Sequence, residues 1–260
     1  MKIRILGSGT SSGIPVIGCS CPVCTSNNPK NRRTRASVLI RTAESSLLID
    51  TATEFRLQAL EAGVQGIDGI FFTHAHADHV HGLDDLRPLS HHKPIEVFAD
   101  PDTRKEIENR FSYIFSRTGQ GGGVPQIHMN SLGREAVDFA DVRVQPVPVL
   151  HGSLPILGYR IGSCAYLTDC SSIPEASYPL LEGLDVLIID ALRYRPHPTH
   201  FSINQALETI QRIAPQRAFM THLCHNVEHR ILSRQLPEGI EPAYDGLEIE
   251  LDCNERNPYT

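Results

Sequence analysis

The segment Thr73-His74-Ala75-His76-Ala77-Asp78-His79 sets four metal-competent side chains within six residues. Imidazole nitrogens and carboxylate oxygens are ordinary ligands of Zn²⁺ and related divalent ions. His74 and His76 are two apart, so in an extended chain they point the same way, whereas Asp78 and His79 fall where the chain would turn. One ion seldom takes four ligands from so short a stretch, and two neighbouring ions taking two each is geometrically easier. Three further candidates end apolar runs: His151 after 142–150, Asp169 after 165–168 and His222 after 217–221. Strand ends on one side of a sheet converge, so the set predicts a dinuclear metal centre. Such a pair of ions readies water for hydrolysis.

A second group is Cys19-x-Cys21-x-x-Cys24, inside a loop spanning 18–25. Three closely spaced thiols in a chain with an odd total of 7 Cys read as metal ligands better than as disulfides. A tetrahedral structural zinc needs a fourth ligand. His225, three residues after His222, and Cys224 compete for that place. An Fe–S cluster and a set of unligated thiols are weaker readings.

Other residues are weighed against bland alternatives. Asp50 and Asp190 end strands and could orient ligands or simply close turns. The Gly7–Pro15 loop lacks the Lys of a nucleotide P-loop, leaving a backbone phosphate cradle or a plain turn. Arg32, Arg33 and Arg35 could meet a terminal phosphate, but a solvated charge run is the better reading. His81, His91, His92 and His197 match no ligand position.

Strand patterns at 2–6, 37–41, 46–50, 69–73, 95–99, 142–150, 157–161, 165–168, 185–190, 217–221 and 247–251 position these groups. Helical spacing covers 53–62, 102–111 and 203–213, the last with Ser202 as its N-cap. The Gly-rich segment 112–130 reads as a flexible flap and the polar tail 254–260 as frayed. Mixed elements without a break predict a single domain over 1–260.

The chain carries 24 Lys+Arg against 30 Asp+Glu, a net charge of −6. That disfavours generic polyanion binding, so nucleic acid is not the expected partner. No run approaches the roughly 20 apolar residues of a membrane span, and the N-terminal apolar stretch is too short for a signal-peptide core. A cytoplasmic protein is expected.

His-x-His-x-Asp-His followed by distant His151, Asp169 and His222 resembles the metallo-β-lactamase superfamily across essentially the whole chain. The resemblance implies an α/β fold, a four-layer αββα sandwich. It puts one ion on His74, His76 and His151, a second on Asp78, His79 and His222, and Asp169 between them, with Asp50 orienting ligands. The Cys loop with His225, and His200 in Pro198-Thr199-His200-Phe201-Ser202, narrow the resemblance to PhnP-like phosphodiesterases, whose substrate is a phosphoribosyl cyclic phosphate. This implies two active-site ions, Zn or Mn, and one structural Zn on Cys19, Cys21, Cys24 and His225. It further implies hydrolysis of a small cyclic or nucleotide-like phosphodiester by a metal-bridged hydroxide. His200 would serve the phosphate or leaving group, Asp78 and Asp169 would position the nucleophile, and Asp190 would support His200. A homodimer is also implied. Other readings on this fold are a tRNase Z-like nuclease, a thioester or lactone hydrolase, and a non-catalytic metal-binding protein.

Overall fold

The computed structural model describes residues 1–116 and 123–251. Its first half forms β1 (Lys2–Gly7), β2 (Ser37–Arg41), β3 (Ser46–Ile49), α1 (Phe55–Glu61), β4 (Gly69–Phe71), α2 (Ala77–Val80), β5 (Ile95–Ala99), α3 (Pro101–Arg110), α4 (Ser112–Phe115) and β6 (Ile127–Ser131). The second half forms β7 (Val137–Phe139), β8 (Val142–His151), β9 (Leu154–Ile161), β10 (Cys164–Leu167), β11 (Val186–Asp190), α5 (Ile203–Ile213), β12 (Arg217–Thr221), α6 (His229–Gln235), β13 (Ile240–Pro242) and β14 (Glu248–Glu250). Short 3₁₀ segments cover Pro29–Asn31, His81–Leu89 and Glu175–Leu181.

Among the described residues the strands make two sheets, ordered β14-β1-β2-β3-β4-β5-β6 and β13-β12-β11-β10-β9-β8-β7. Alternation along each strand explains the layering. Val38 and Ile40 of β2 face the second sheet, in one core with Tyr159, Ile161, Val186, Ile188 and Phe219. Leu39 and Leu48 face the other way, onto Phe55 of α1 and Leu83. In β11, Leu187 and Ile189 turn outward to meet Ala206 and Ile210 of α5. Every residue of β11 is buried, as its apolar run requires of a strand covered on both faces. Helix, sheet, sheet and helix layers result, the αββα sandwich implied by the resemblance.

α5 occupies the residues expected, and Ser202 with Gln205 closes a capping box at its start. The segment 112–130 departs from the flexible reading at both ends: 112–115 is helical, and β6 pairs in parallel with β5. The glycines at 119, 121 and 122 and the tail 254–260 lie outside the described residues. The expected helix 53–62 is shorter, because its first turn begins only at Phe55. No helix among the described residues is long and apolar enough to cross a membrane.

Candidate metal centre

The site is built at strand ends. β3, β4 and β5 run parallel, as do β10, β11 and β12, so their C-terminal ends emerge together on one edge of each sheet. Asp50 follows β3, His74 lies three residues past β4, Asp169 two past β10, Asp190 ends β11, and His222 follows β12. β8 delivers His151 at its last residue. The sheets are tied there: Tyr159 Oη donates to the Phe72 carbonyl (2.5 Å) and Leu157 N–H to the Thr73 carbonyl (3.1 Å). Asp50, Asp169 and His222 take positive φ of 62°, 53° and 58°. Left-handed backbone is costly for side-chain-bearing residues and is retained where the surroundings over-determine it. Here it bends each chain sharply off its strand toward the shared edge.

Two four-residue groups share Asp169. His74, His76, His151 and Asp169 form one, and Asp78, His79, Asp169 and His222 the other; within each, the donor atoms lie within 4.8 Å of one another. Nε2 of His79 lies 3.2 Å from Asp169 Oδ1 and 3.4 Å from Asp78 Oδ2, and Nε2 of His222 lies 3.1 Å from Asp169 Oδ1. Neither Nε2 closes a hydrogen bond among the described residues, although both are buried. Buried polar atoms normally find partners. In this second group the atoms converge without bonding one another, as a cation's ligands do, whereas in the first His74 Nε2 lies 2.9 Å from His76 Nδ1; the mixed imidazole and carboxylate set suits a divalent ion.

The opposite ring nitrogens of His79 and His151 are fixed, whereas His222 Nδ1 has no hydrogen-bond partner among the described residues. His79 Nδ1 donates to Asp50 Oδ2 (2.7 Å), and Asp50 also accepts from Thr73 N–H and Thr73 Oγ1 (2.8 Å each). His151 Nδ1 donates to the Thr199 carbonyl (2.8 Å), which leaves its Nε2 lone pair facing the cluster. Such outer contacts set the tautomer and the aim of ligating imidazoles. A third group, Asp190, His200 and His222, adjoins the second cluster. His200 Nδ1 lies 3.2 Å from Asp190 Oδ2, and the His200 ring centroid is 4.7 Å from those of His151 and His222.

Charge is strongly coupled across the site. Burial opposes charging of His79, but Asp169, Asp50 and Asp78 outweigh it and hold the imidazole well above its ordinary range. His222 is raised too, burial being overcome chiefly by Asp169. Asp169 is also buried, yet His222 and His79 hold its pKa well below the usual carboxylate value. His74 moves the opposite way, lowered by burial and by His79. Without ions, protons on His79 and His222 therefore serve as counter-charges to the carboxylates.

The Cys loop closes on the turn after β12. Sγ of Cys19, Cys21 and Cys24 lie 3.3, 3.6 and 3.7 Å from His225 Nδ1. Cys224 stands outside this group and bonds Asn226 instead. Arg33 departs from the solvated reading: it is 1% exposed, and its guanidinium donates to the carbonyls of Cys224 (3.3 Å) and Val227 (3.0 Å) on either side of His225. Arg35 pairs with Glu54. In the Gly7–Pro15 loop, Gly9 N–H donates to the Thr34 carbonyl, Thr10 to Leu223 and Gly13 to Thr10, while Ser8 N–H donates to the Asp245 carboxylate. His81 packs on Phe111, and His91 and His92 are exposed. The sequence reading missed Thr73, which bridges Asp50 and His74, and Thr199, which holds His151. Their place directly before His74 and His200 was the available signal.

Residues 45–223 match the family described as a β-lactamase superfamily domain. The chain belongs to the β-lactamase superfamily. A solved structure described as a new diphosphatase from the PhnP family is similar at TM-score 0.91 and 42% identity, over 96% of this chain and 98% of that one. Zn²⁺-bound PqqB from Methylobacterium extorquens shares the fold at TM-score 0.79 and 20% identity, over 96% and 100% of the two chains. A curated relative, octanoyltransferase of Porphyromonas gingivalis, is 41% identical over 256 residues, 97% of this chain and 52% of that protein. The chain spans about half the length of that relative, so the name covers sequence without a counterpart here.

Proposed function

We propose that this chain is a metal-dependent hydrolase that cleaves a phosphorus–oxygen bond in a small phosphate diester. The observation that carries the reading is Asp169 shared between two metal-competent groups, with His200 against both. His74, His76, His151 and Asp169 would hold one ion, and Asp78, His79, Asp169 and His222 a second. Cys19, Cys21, Cys24 and His225 would hold a structural zinc. When bound, the active-site ions supply Lewis acidity at phosphoryl oxygens and lower the pKa of water.

The chain's own residues do the rest. Asp190 accepts from His200 Nδ1, which leaves Nε2 to face the substrate. In its doubly protonated form the ring also carries an Nε2–H, which hydrogen-bonds a non-bridging oxygen or passes to the departing alkoxide, leaving the neutral ring with its Nδ1–H on Asp190. Phe201 N–H, also on Asp190 Oδ2 (3.1 Å), keeps that carboxylate from swinging away. Asp78 and Asp169 fix the position of the attacking water. Asp50, Asp190 and His222 are buried, so solvent screens their charges less than those of surface groups. The net charge of −6 favours a small substrate over a nucleic acid.

A diphosphate linkage is the second reading, supported by the 42% identity to a protein described as a diphosphatase. The test is turnover of bis-p-nitrophenyl phosphate, a cyclic ribose phosphate, a diphosphate diester and a lactone by the zinc- or manganese-loaded protein. Phosphorus-ester cleavage that chelator abolishes and metal restores is expected. Hydrolysis of the lactone alone would overturn the reading.

A further inference from the structure

His197 stands on the rim of the centre, in the loop from β11 to α5. That loop is closed at its base, where Leu192 N–H donates to the Phe201 carbonyl and Ile203 N–H to the Arg193 carbonyl (2.9 Å each). The Arg193 guanidinium donates across the turn to the carbonyls of Arg195 (3.2 Å) and Pro196 (3.1 Å). On the far limb, the Thr199 carbonyl accepts from His151. A loop fastened at these points presents His197 in one place.

The ring proton is fixed as well. His197 Nδ1 faces Thr199 N–H at 3.4 Å and Thr199 Oγ1 at 3.2 Å. A backbone N–H only donates, so Nδ1 accepts and the neutral ring carries its proton on Nε2. Among the described residues nothing accepts from that Nε2. The ring is half-buried, with its centroid 5.1 Å from that of His200. The basic side chains placed near it are His200, ring against ring, and Arg193 at the base of the same loop. A phosphate diester has its single charge at the scissile phosphorus, which the buried clusters face. A diphosphate carries a further charge, which needs a donor at the rim.

We propose that His197 is a specificity-determining residue whose Nε2–H binds the second phosphoryl group of a P–O–P substrate. The inference rests on the phosphorus–oxygen hydrolase reading and narrows its substrate class. The test is calorimetric titration of the zinc-loaded full chain with imidodiphosphate, an inert P–N–P analogue, and with inorganic phosphate. His197→Ala is expected to weaken imidodiphosphate about tenfold and phosphate less than about twofold, as loss of one hydrogen bond to a charged group implies. His197→Gln, which keeps a side-chain N–H, should retain most of the affinity. Equal weakening of both ligands, or wild-type affinity in His197→Ala, would overturn the proposal, as would a wild type that does not bind imidodiphosphate. Should His197→Ala lose metal, His197→Gln decides: tenfold weaker analogue binding at full metal content counts against the role. Turnover of bis-p-nitrophenyl phosphate by the wild type is read separately, so failure of the hydrolase reading is distinguishable from failure of this one.

Discussion

The imidazole rings of His200 and His222 lie within 14° of parallel, 4.7 Å between centroids, and Asp190 reaches both. Its Oδ2 is 3.2 Å from His200 Nδ1 and its Oδ1 3.6 Å from His222 Nδ1. One carboxylate thus holds the residue that would meet the substrate and borders, without bonding it, a residue of the metal-competent cluster. His200 belongs to neither cluster that shares Asp169.

His200→Ala should therefore keep wild-type metal content while slowing diester cleavage by about 10²- to 10⁴-fold, the usual worth of a positioned acid–base group. Asp190→Asn should move in the same direction and by less, since His200 stays in place but loses its orienting acceptor. Metal analysis beside turnover reads both variants, and undiminished turnover in His200→Ala would remove it from the mechanism.

The ion-free protein should lose stability as pH rises from about 6.5, the ordinary His value. His79 and His222 are raised in the fold, in each case against burial and by carboxylates led by Asp169. A raised imidazole contributes its full stability below the unfolded pKa and loses it as pH climbs through the folded one. His74 and His76, both lowered chiefly by burial, titrate below 6.5 and do not act in this window. Thermal melts of chelator-treated Cys21→Ser protein, which lacks the lowered thiol that would oppose the trend, should fall across alkaline pH, while metal-loaded wild-type samples hold steady. A flat profile without metal would contradict the assignment of protons as counter-charges.

His225→Ala and Cys19→Ser should each release about one zinc per chain, whereas Cys224→Ser should not. Three sulfurs surround His225 Nδ1 and Cys224 is turned to Asn226. Within the cluster, the hydrogen bond from Cys24 N–H, despite burial, brings the Cys21 thiol down to about 6, so it is a thiolate ready for metal at neutral pH. Zinc counted by a chromogenic chelator separates the three variants.

Arg33→Met should destabilise the fold by roughly 3 kcal/mol, because it strips two buried carbonyls of their donor. Burial pulls the Arg33 pKa down to about 10, which leaves the guanidinium charged at neutral pH. Urea unfolding measures the loss, and a midpoint equal to wild type would show that Cys224 and Val227 find other partners.

Much of this was legible because ligand chemistry and strand ends coincide. His74 to His79 follow β4 directly, and Asp169 and His222 follow short apolar runs whose parallel pairing sends them to one edge. Ser202 announced α5 through its capping geometry. What escaped depended on tertiary contact. Arg33 sits between exposed Arg32 and half-exposed Arg35, and only its pairing with Ile14 turns it inward. The edge strands β6 and β7 are half-buried at best, and their alternation of apolar and polar residues is too short to read. α2 is only four residues long, and Asp78 and His79 within it point to the cluster. So short a helix has little propensity of its own to read.

His222 and His225 share one turn, three residues apart, and each closes a different metal-competent group. The two groups are thus mechanically in series: whatever anchors the cysteine loop also sets the lever on which the last catalytic-edge imidazole rides. Loosening the cysteine loop would then blunt the aim of His222 while leaving all seven candidate ligands of the inner groups in place.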